Sequence, residues 1–222
     1  MWRDALWGGA LTSHVAAKSH TVAAFDFDGT LIRGDSMWYV LHGGLGSKRW
    51  CWVLLLSSPW IVMYLFGLCS NEKAKSKLLY HALAHRPLTE VEQWGHQFVQ
   101  TKMPHLFHPP TLERLAWHKA RGHACLLVSA SVDLYMVQVG RALGMDDVLC
   151  TPMEVAGLLV TGHMGGPNCH GPEKVRRIQR WLDAKSWARS TVELYAYGDS
   201  SGDAAMLDMA DHAFMRGKAW RN

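Results

Sequence analysis

The stretch Phe25-Asp26-Phe27-Asp28-Gly29-Thr30-Leu31 decides the reading of this chain. Residues 21–27 are short, apolar and partly β-branched, which predicts a buried strand, and Gly29 marks the turn beyond it. Asp26 and Asp28 stand two apart at the strand end, so both carboxylates can face one crevice. Two close carboxylates repel unless a cation binds them. Carboxylates, carbonyls and waters suit a hard divalent ion that keeps part of its hydration, which points to Mg2+.

Outward from this stretch, strand and helix signals alternate. Residues 111–121 read as a helix stopped by Gly122, and 124–128 as an apolar strand running into Ser129-Ala130-Ser131. Residues 132–143 read as a helix ended by Gly144, with short strands at 148–155 and 158–163. A helix over 172–184 has Pro near its first turn, a strand over 192–197 runs into Gly198-Asp199, a short helix covers 204–210, and 212–215 forms a last strand. This alternation predicts an α/β fold: a Rossmann-like, three-layer α/β/α arrangement with a parallel sheet. In such sheets the site lies at the carboxyl ends of the strands. That rule selects Asp26 and Asp28, Ser129, the loop before Lys174, and Asp199 with Asp203. Ser129 can donate to a phosphate oxygen, and Lys174 in the first turn of its helix can set an ammonium beside it.

Composition narrows the classes. The chain has 222 residues, 49% hydrophobic and 19% charged, which fits a folded protein of one or two domains. A formal charge of +4 is too small and scattered for a nucleic-acid surface. The five cysteines, Cys51, Cys69, Cys125, Cys150 and Cys169, show no zinc-ligand spacing and read as reduced thiols of a cytosolic compartment. Residues 1–20 carry Asp4 and two glycines in their apolar part, which argues for an extension rather than a signal peptide. His81 and His85 are four apart but have no third metal ligand in view, and 162–171 is glycine-rich without the strand–turn–helix setting of a nucleotide loop. Asn168 and His170 read as exposed loop residues.

Each signal is weak by itself; their order and spacing are not. The chain resembles the haloacid dehalogenase superfamily, in its phosphoserine-phosphatase-like branch. Phe25 to Leu31 matches the first motif, Leu127-Val128-Ser129-Ala130-Ser131 the second, Gly171-Pro172-Glu173-Lys174 the third, and Tyr197-Gly198-Asp199-Ser200-Ser201-Gly202-Asp203 the fourth. The resemblance implies roles. Asp26 attacks phosphorus and forms an aspartyl-phosphate. Asp28 protonates the leaving alkoxide, then activates water, and its backbone carbonyl reaches the metal. Asp26 and Asp199 bind Mg2+ through their side chains, and Asp203 completes the metal site or orients Lys174. Ser129 and Lys174 hold the phosphoryl group. The core then comprises 21–34 and 111–222, and 35–110 is an inserted helical cap, with His108-Pro109-Pro110 as the linker out of it.

Within that insertion, residues 50–68 contain no Asp, Glu, Lys, Arg or His. As one helix they would run roughly 28 Å at ~1.5 Å per residue, near the thickness of a hydrocarbon core. A single span is excluded, because the motifs before and after the segment must meet in one crevice. Lys48 and Arg49 before it and Lys73, Lys75 and Lys77 after it suit two cytoplasmic ends. Ser57-Ser58-Pro59 at its centre predicts a helix break, hence a re-entrant or in-plane hairpin at the inner membrane. A buried cap helix is the alternative. On the apolar segment and the pattern Cys169-x-Gly171-x-x-Lys174-Val175, the chain is also similar to the bacterial phosphatidylglycerophosphatase C group. The resulting expectation is a Mg2+-dependent phosphomonoester phosphatase acting on a lipid phosphate such as phosphatidylglycerol phosphate. A soluble phosphatase of a small metabolite such as phosphoserine is the first alternative. A non-catalytic membrane-binding module is the second, and it is disfavoured because no motif residue is missing.

Overall fold

The computed structural model describes residues 18–220, so nearly all of the expected extension 1–20 lies outside the described residues. In chain order the elements are β1 (His20–Phe25), α1 (Ser36–Leu65), α2 (Asn71–Leu83), β2 (Arg86–Pro87), α3 (Leu88–Thr101) and α4 (Met103–Leu106). There follow α5 (Pro109–Lys119), β3 (Ala124–Val132), α6 (Asp133–Leu143), β4 (Asp147–Thr151), β5 (Met153–Ala156) and β6 (Leu159–Met164). The chain continues through α7 (Pro172–Ala184), β7 (Val192–Gly198), α8 (Ala204–Met209), β8 (His212–Met215) and β9 (Lys218–Ala219).

The main sheet has six strands in the order β4-β3-β1-β7-β8-β9. All its pairings are parallel except β8 with β9. Successive side chains on a strand point to opposite faces. Val22, Ala24, Leu126, Val128, Leu194 and Ala196 therefore pack with Ile178, Leu182, Met206 and Leu207 of α7 and α8. Ala23, Phe25, Cys125, Leu127 and Tyr197 turn the other way, into a second core with Leu115, Tyr135, Met136 and Val139 of α5 and α6. Strands buried on both faces, with helices on both sides, are the expected α/β layering. β1 sits between β3 and β7, so the crevice at its carboxyl end lies at the middle of the sheet.

Several boundaries differ from the sequence expectation, each for a local reason. The strand expected over 148–155 is two strands, because Pro152 has no N–H to continue the ladder and Met153 N instead donates to Asp133 Oδ1 (3.0 Å). His108-Pro109-Pro110 is no linker: the prolines open α5, and His108 N is tied to Leu31 O (2.9 Å). His81 lies on α2 but His85 lies beyond it with φ 62, so the two do not share a helix face.

The largest correction concerns 50–68. There is no hairpin at Ser57-Ser58-Pro59: α1 runs through Pro59 to Leu65, and its one non-helical residue is Gly46 (φ 72). Proline removes the N–H that would bond to Leu55 O, and Ser58 Oγ donates to that same carbonyl (2.7 Å), so the helix continues. Trp50, Val53 and Ser57 face inward, while Trp52, Leu55, Leu56, Val62, Leu65, Phe66 and Leu68 are exposed. Among the described residues no helix is long and apolar enough to cross a membrane.

Candidate active site

Asp26 follows β1 directly. Its N–H donates to Tyr197 O (2.9 Å), which carries the β1–β7 pairing to the edge of the crevice. Phe27 O then accepts from the N–H groups of Thr30, Leu31 and Ile32 (3.2, 2.9 and 3.1 Å), winding the chain into a tight turn. Gly29 makes that turn at φ 78, and a Cβ there would stand 2.3 Å from Asp199 Oδ2, so any side chain would strain the turn and push Asp199 aside. Thr30 Oγ1 donates to Asp26 Oδ2 (3.1 Å). Asp28 is held separately: its Oδ1 accepts from Ser36 N (2.6 Å) at the start of α1, and its Oδ2 from Ser131 Oγ (2.7 Å).

α7 brings in Lys174, whose side chain is only 2% exposed. Its ammonium donates to Asp26 Oδ1 (2.6 Å), Asp203 Oδ1 (2.6 Å) and Val128 O (2.8 Å). All three of its N–H groups are thus used. Asp203 Oδ2 accepts from Asp199 N, Ser200 N and Ser200 Oγ (3.1 Å each), which fixes the loop that presents Asp199. Ser129, at the end of the apolar run of β3, is buried, and its Oγ accepts from Ser131 N (3.0 Å).

Ligand atoms of Asp26, Asp199 and Asp203 lie within 4.8 Å of one another. This is an oxygen-only donor set in a partly buried crevice, and it fits a hard divalent cation. Asp203 also braces Lys174 and the Asp199 loop through its two oxygens. The Asp28 carboxylate lies outside this group of three and is occupied by Ser36 and Ser131.

Burial pushes the Asp26 carboxyl up to about 7 despite the Lys174 ammonium beside it. Burial, with Asp35 adding to it, pushes Asp28 up to about 6. Burial also raises Asp199, with the charge of Asp203 adding to it. Asp203 goes the other way: burial would raise it, but Lys174 and the loop N–H groups outweigh that and hold it below the usual carboxylate range. A metal-free crevice thus favours protons on Asp26, the charge a cation would compensate.

All the sequence-selected residues, Asp26, Asp28, Ser129, Lys174, Asp199 and Asp203, line one cleft of about 300 Å³. Met37 and Ile61 of α1 and Asn71, Ala74, Lys75 and Leu78 of α2 form its opposite wall. Sequence reasoning missed Thr30, Ser36 and Ser131, which only fix the two aspartates, and Lys75, which it placed in a flanking charge run. Asn168 is not an exposed loop residue: it is buried and bonds Thr151 Oγ1 (3.0 Å) and Lys75 Nζ (2.8 Å) through its Oδ1. Nothing in the local sequence signals these contacts, which join residues far apart in the chain.

The haloacid dehalogenase-like hydrolase model matches residues 23–208, which contain every residue of this cleft. The chain belongs to the haloacid dehalogenase-like hydrolases. Protein CicA of Caulobacter vibrioides is 31% identical to this family member over 201 residues, 89% of the chain and 87% of CicA. A probable phosphatase of Mycobacterium tuberculosis is 25% identical over 204 residues, 89% of the chain and 69% of that protein. Among solved structures, a phospho-aspartyl intermediate analogue of phosphoserine phosphatase superposes with a TM-score of 0.61. It is 17% identical and covers 88% of this chain and 86% of the other, a likeness of fold.

Proposed function

We propose that this hydrolase is a Mg2+-dependent phosphomonoester phosphatase that works through an aspartyl-phosphate on Asp26. The observation that carries the reading is the Asp26–Lys174–Asp203 arrangement beside Asp199 and Ser129. Asp26 supplies a carboxylate oxygen for in-line attack on phosphorus, and the alcohol leaves with the electrons of its P–O bond. Asp28, pushed up to about 6, can carry the proton that the leaving alkoxide needs, and the same carboxylate then takes a proton from the water that hydrolyses the intermediate. Lys174 and Ser129 stabilise the equatorial oxygens. Asp26 and Asp199, with the Asp28 carbonyl as the resemblance implies, would hold the ion, which offsets the repulsion between carboxylate and phosphate dianion.

For the substrate we favour a lipid phosphate such as phosphatidylglycerol phosphate, met at the cytoplasmic face of a membrane. Two features support this. The outer side of α1 and the turn after it are apolar and exposed: Trp52 is 64% accessible, Leu65 74% and Phe66 76%. Exposed Lys48, Arg49 and Lys73 flank this surface, as suits anionic headgroups. The cleft has room for a phosphorylated headgroup, and Ile61, on the same helix as the exposed stripe, lines it. Acyl chains would lie outside, along α1. The fold likeness to phosphoserine phosphatase supports the second reading, a soluble phosphorylated metabolite. A panel of phosphomonoesters assayed with Mg2+, including lipid phosphates in mixed micelles, separates them. Hydrolysis of soluble esters with none of the lipid would discard the lipid reading, and no hydrolysis of any member would discard the phosphatase reading.

A further inference from the structure

Among the described residues, Lys75 is the only lysine besides Lys174 that lines the catalytic cleft. It reaches from α2 across to the opposite wall, where its ammonium donates to Ala130 O and to Asn168 Oδ1 (2.8 Å). Asn168 is itself fixed by Thr151 Oγ1 (3.0 Å), and Thr151 Oγ1 also donates to Ala130 O (2.6 Å), so the ammonium is seated in a defined polar corner. Among the described residues no carboxylate lies within ion-pair distance of it, in contrast to Lys174 with its two. A lysine ammonium has three N–H groups, and two are used here. A partly buried cation without a counter-ion is costly; it either shifts toward its neutral form or is met by an anion. Burial accordingly pulls Lys75 down to about 8, against the opposing pull of Asp28 and Asp35.

Its position defines what that anion is. The transferring phosphoryl group already has Lys174, Ser129 and the cation site. The carboxylates that bear on Lys75 are Asp28 and Asp35, and Asp28 is the group assigned above to protonate the leaving alkoxide; the neighbours of Lys75 on the wall are Asn71, Ala74 and Leu78 of its own helix. We propose that Lys75 is a specificity-determining residue that binds a second anionic group, a phosphodiester or a carboxylate, on the leaving-group side of the substrate. This rests on the phosphatase reading. It goes beyond that reading by requiring a substrate with two anionic centres.

The test compares three phosphomonoesters with the full-length protein and Mg2+: p-nitrophenyl phosphate, with no second anion; 3-phosphoglycerate, with a carboxylate; and short-chain phosphatidylglycerol phosphate, with a phosphodiester. The readout is the ratio of kcat/KM for each dianionic-centre substrate to that for p-nitrophenyl phosphate. In Lys75→Met the ratio should fall about ten- to hundredfold for the substrate that Lys75 reads, through KM, the loss expected for a charge-assisted hydrogen bond. Lys75→Arg should restore most of it. The arm that responds tells whether the anion is a lipid phosphodiester or a carboxylate. A ratio unchanged in Lys75→Met while both activities drop would show that Lys75 only braces Ala130, and would overturn the proposal. Wild-type protein inert on all three would instead sink the phosphatase reading on which it rests.

Discussion

Asp26 and Asp203 face each other across one ammonium. Replacing Lys174 with Met would leave two buried carboxylates without a counter-charge, at a cost of about 3–5 kcal/mol in unfolding free energy. Mg2+ should recover part of that loss, and chemical denaturation with and without the ion measures both. Asp26→Asn should keep the fold, since an amide oxygen still accepts from Lys174, while turnover falls ~10³-fold or more. Near-native circular dichroism with full activity would remove Asp26 as nucleophile. The proton affinity of Asp26 gives a third expectation. Its carboxyl sits near 7 in the metal-free fold, so a proton competes with the ion at pH 6 and no longer does at pH 8. Mg2+ should bind about tenfold more tightly at pH 8 than at pH 6, as read by the ion concentration that half-saturates its thermal stabilisation. These residues were legible in the sequence because the chemistry fixes their type and the strand ends fix their spacing. Thr30, Ser36 and Ser131 were not, because a hydroxyl or a backbone N–H that holds a carboxylate looks like any other turn residue.

Among the elements, α1 has two characters. Its inner side, with Trp50 and Val53, is core; its outer side is apolar and bare. Changing Trp52, Leu55 and Leu56 together to Ser should alter stability by roughly 0.5 kcal/mol or less per site, because the side chains are already in water. Activity on p-nitrophenyl phosphate should be unchanged, while co-sedimentation with anionic vesicles should be lost. Wild-type protein that fails to sediment with those vesicles would refute the membrane surface. The sequence showed the absence of charge along this segment, but not which half of its circumference is covered, since apolar residues occur all round it and only Ser57 and Ser58 are distinctly polar. It also suggested a break at Pro59. The rescue of the stranded Leu55 carbonyl by Ser58 Oγ is a side-chain rotamer event that a proline rule does not capture.

On the scale of the whole molecule, α5 seals one face of the sheet with a fully buried His118, which shares hydrogen bonds with Tyr197 OH (2.9 Å) and His123 Nδ1 (2.8 Å). Burial, with His123 beside it, pulls His118 down to about 4. The unfolded chain takes up a proton near 6.5 that the folded chain refuses until about 4. Stability therefore falls as the pH drops through that window, by up to about 3 kcal/mol from this residue. Asp26 has the opposite sign, because its folded form binds a proton first, so the two must be separated. Urea midpoints of the wild type and His118→Gln at pH 7 and pH 4.5 do so: the loss on acidification should be smaller in the variant. The layered α/β plan was legible from the alternation of strands and helices. The small antiparallel sheet was not, because a two-residue strand, Arg86-Pro87, carries no periodicity.

That small sheet bears on modularity. Its order is β2-β6-β5, so a strand that follows α2 pairs with a hairpin that the chain makes only after β4. α2 rests on the hairpin so closely that a Cβ at Gly162 would stand 3.0 Å from Tyr80 Cα. The α2 wall of the cleft therefore rests on a sheet built from two separated stretches of sequence. A chimaera that exchanged residues 35–110 alone would carry away one border of this seam and leave the other behind. Replacing α1 to α4 with another set of helices would require transplanting 153–164 as well, and drift in either stretch is answerable to the other.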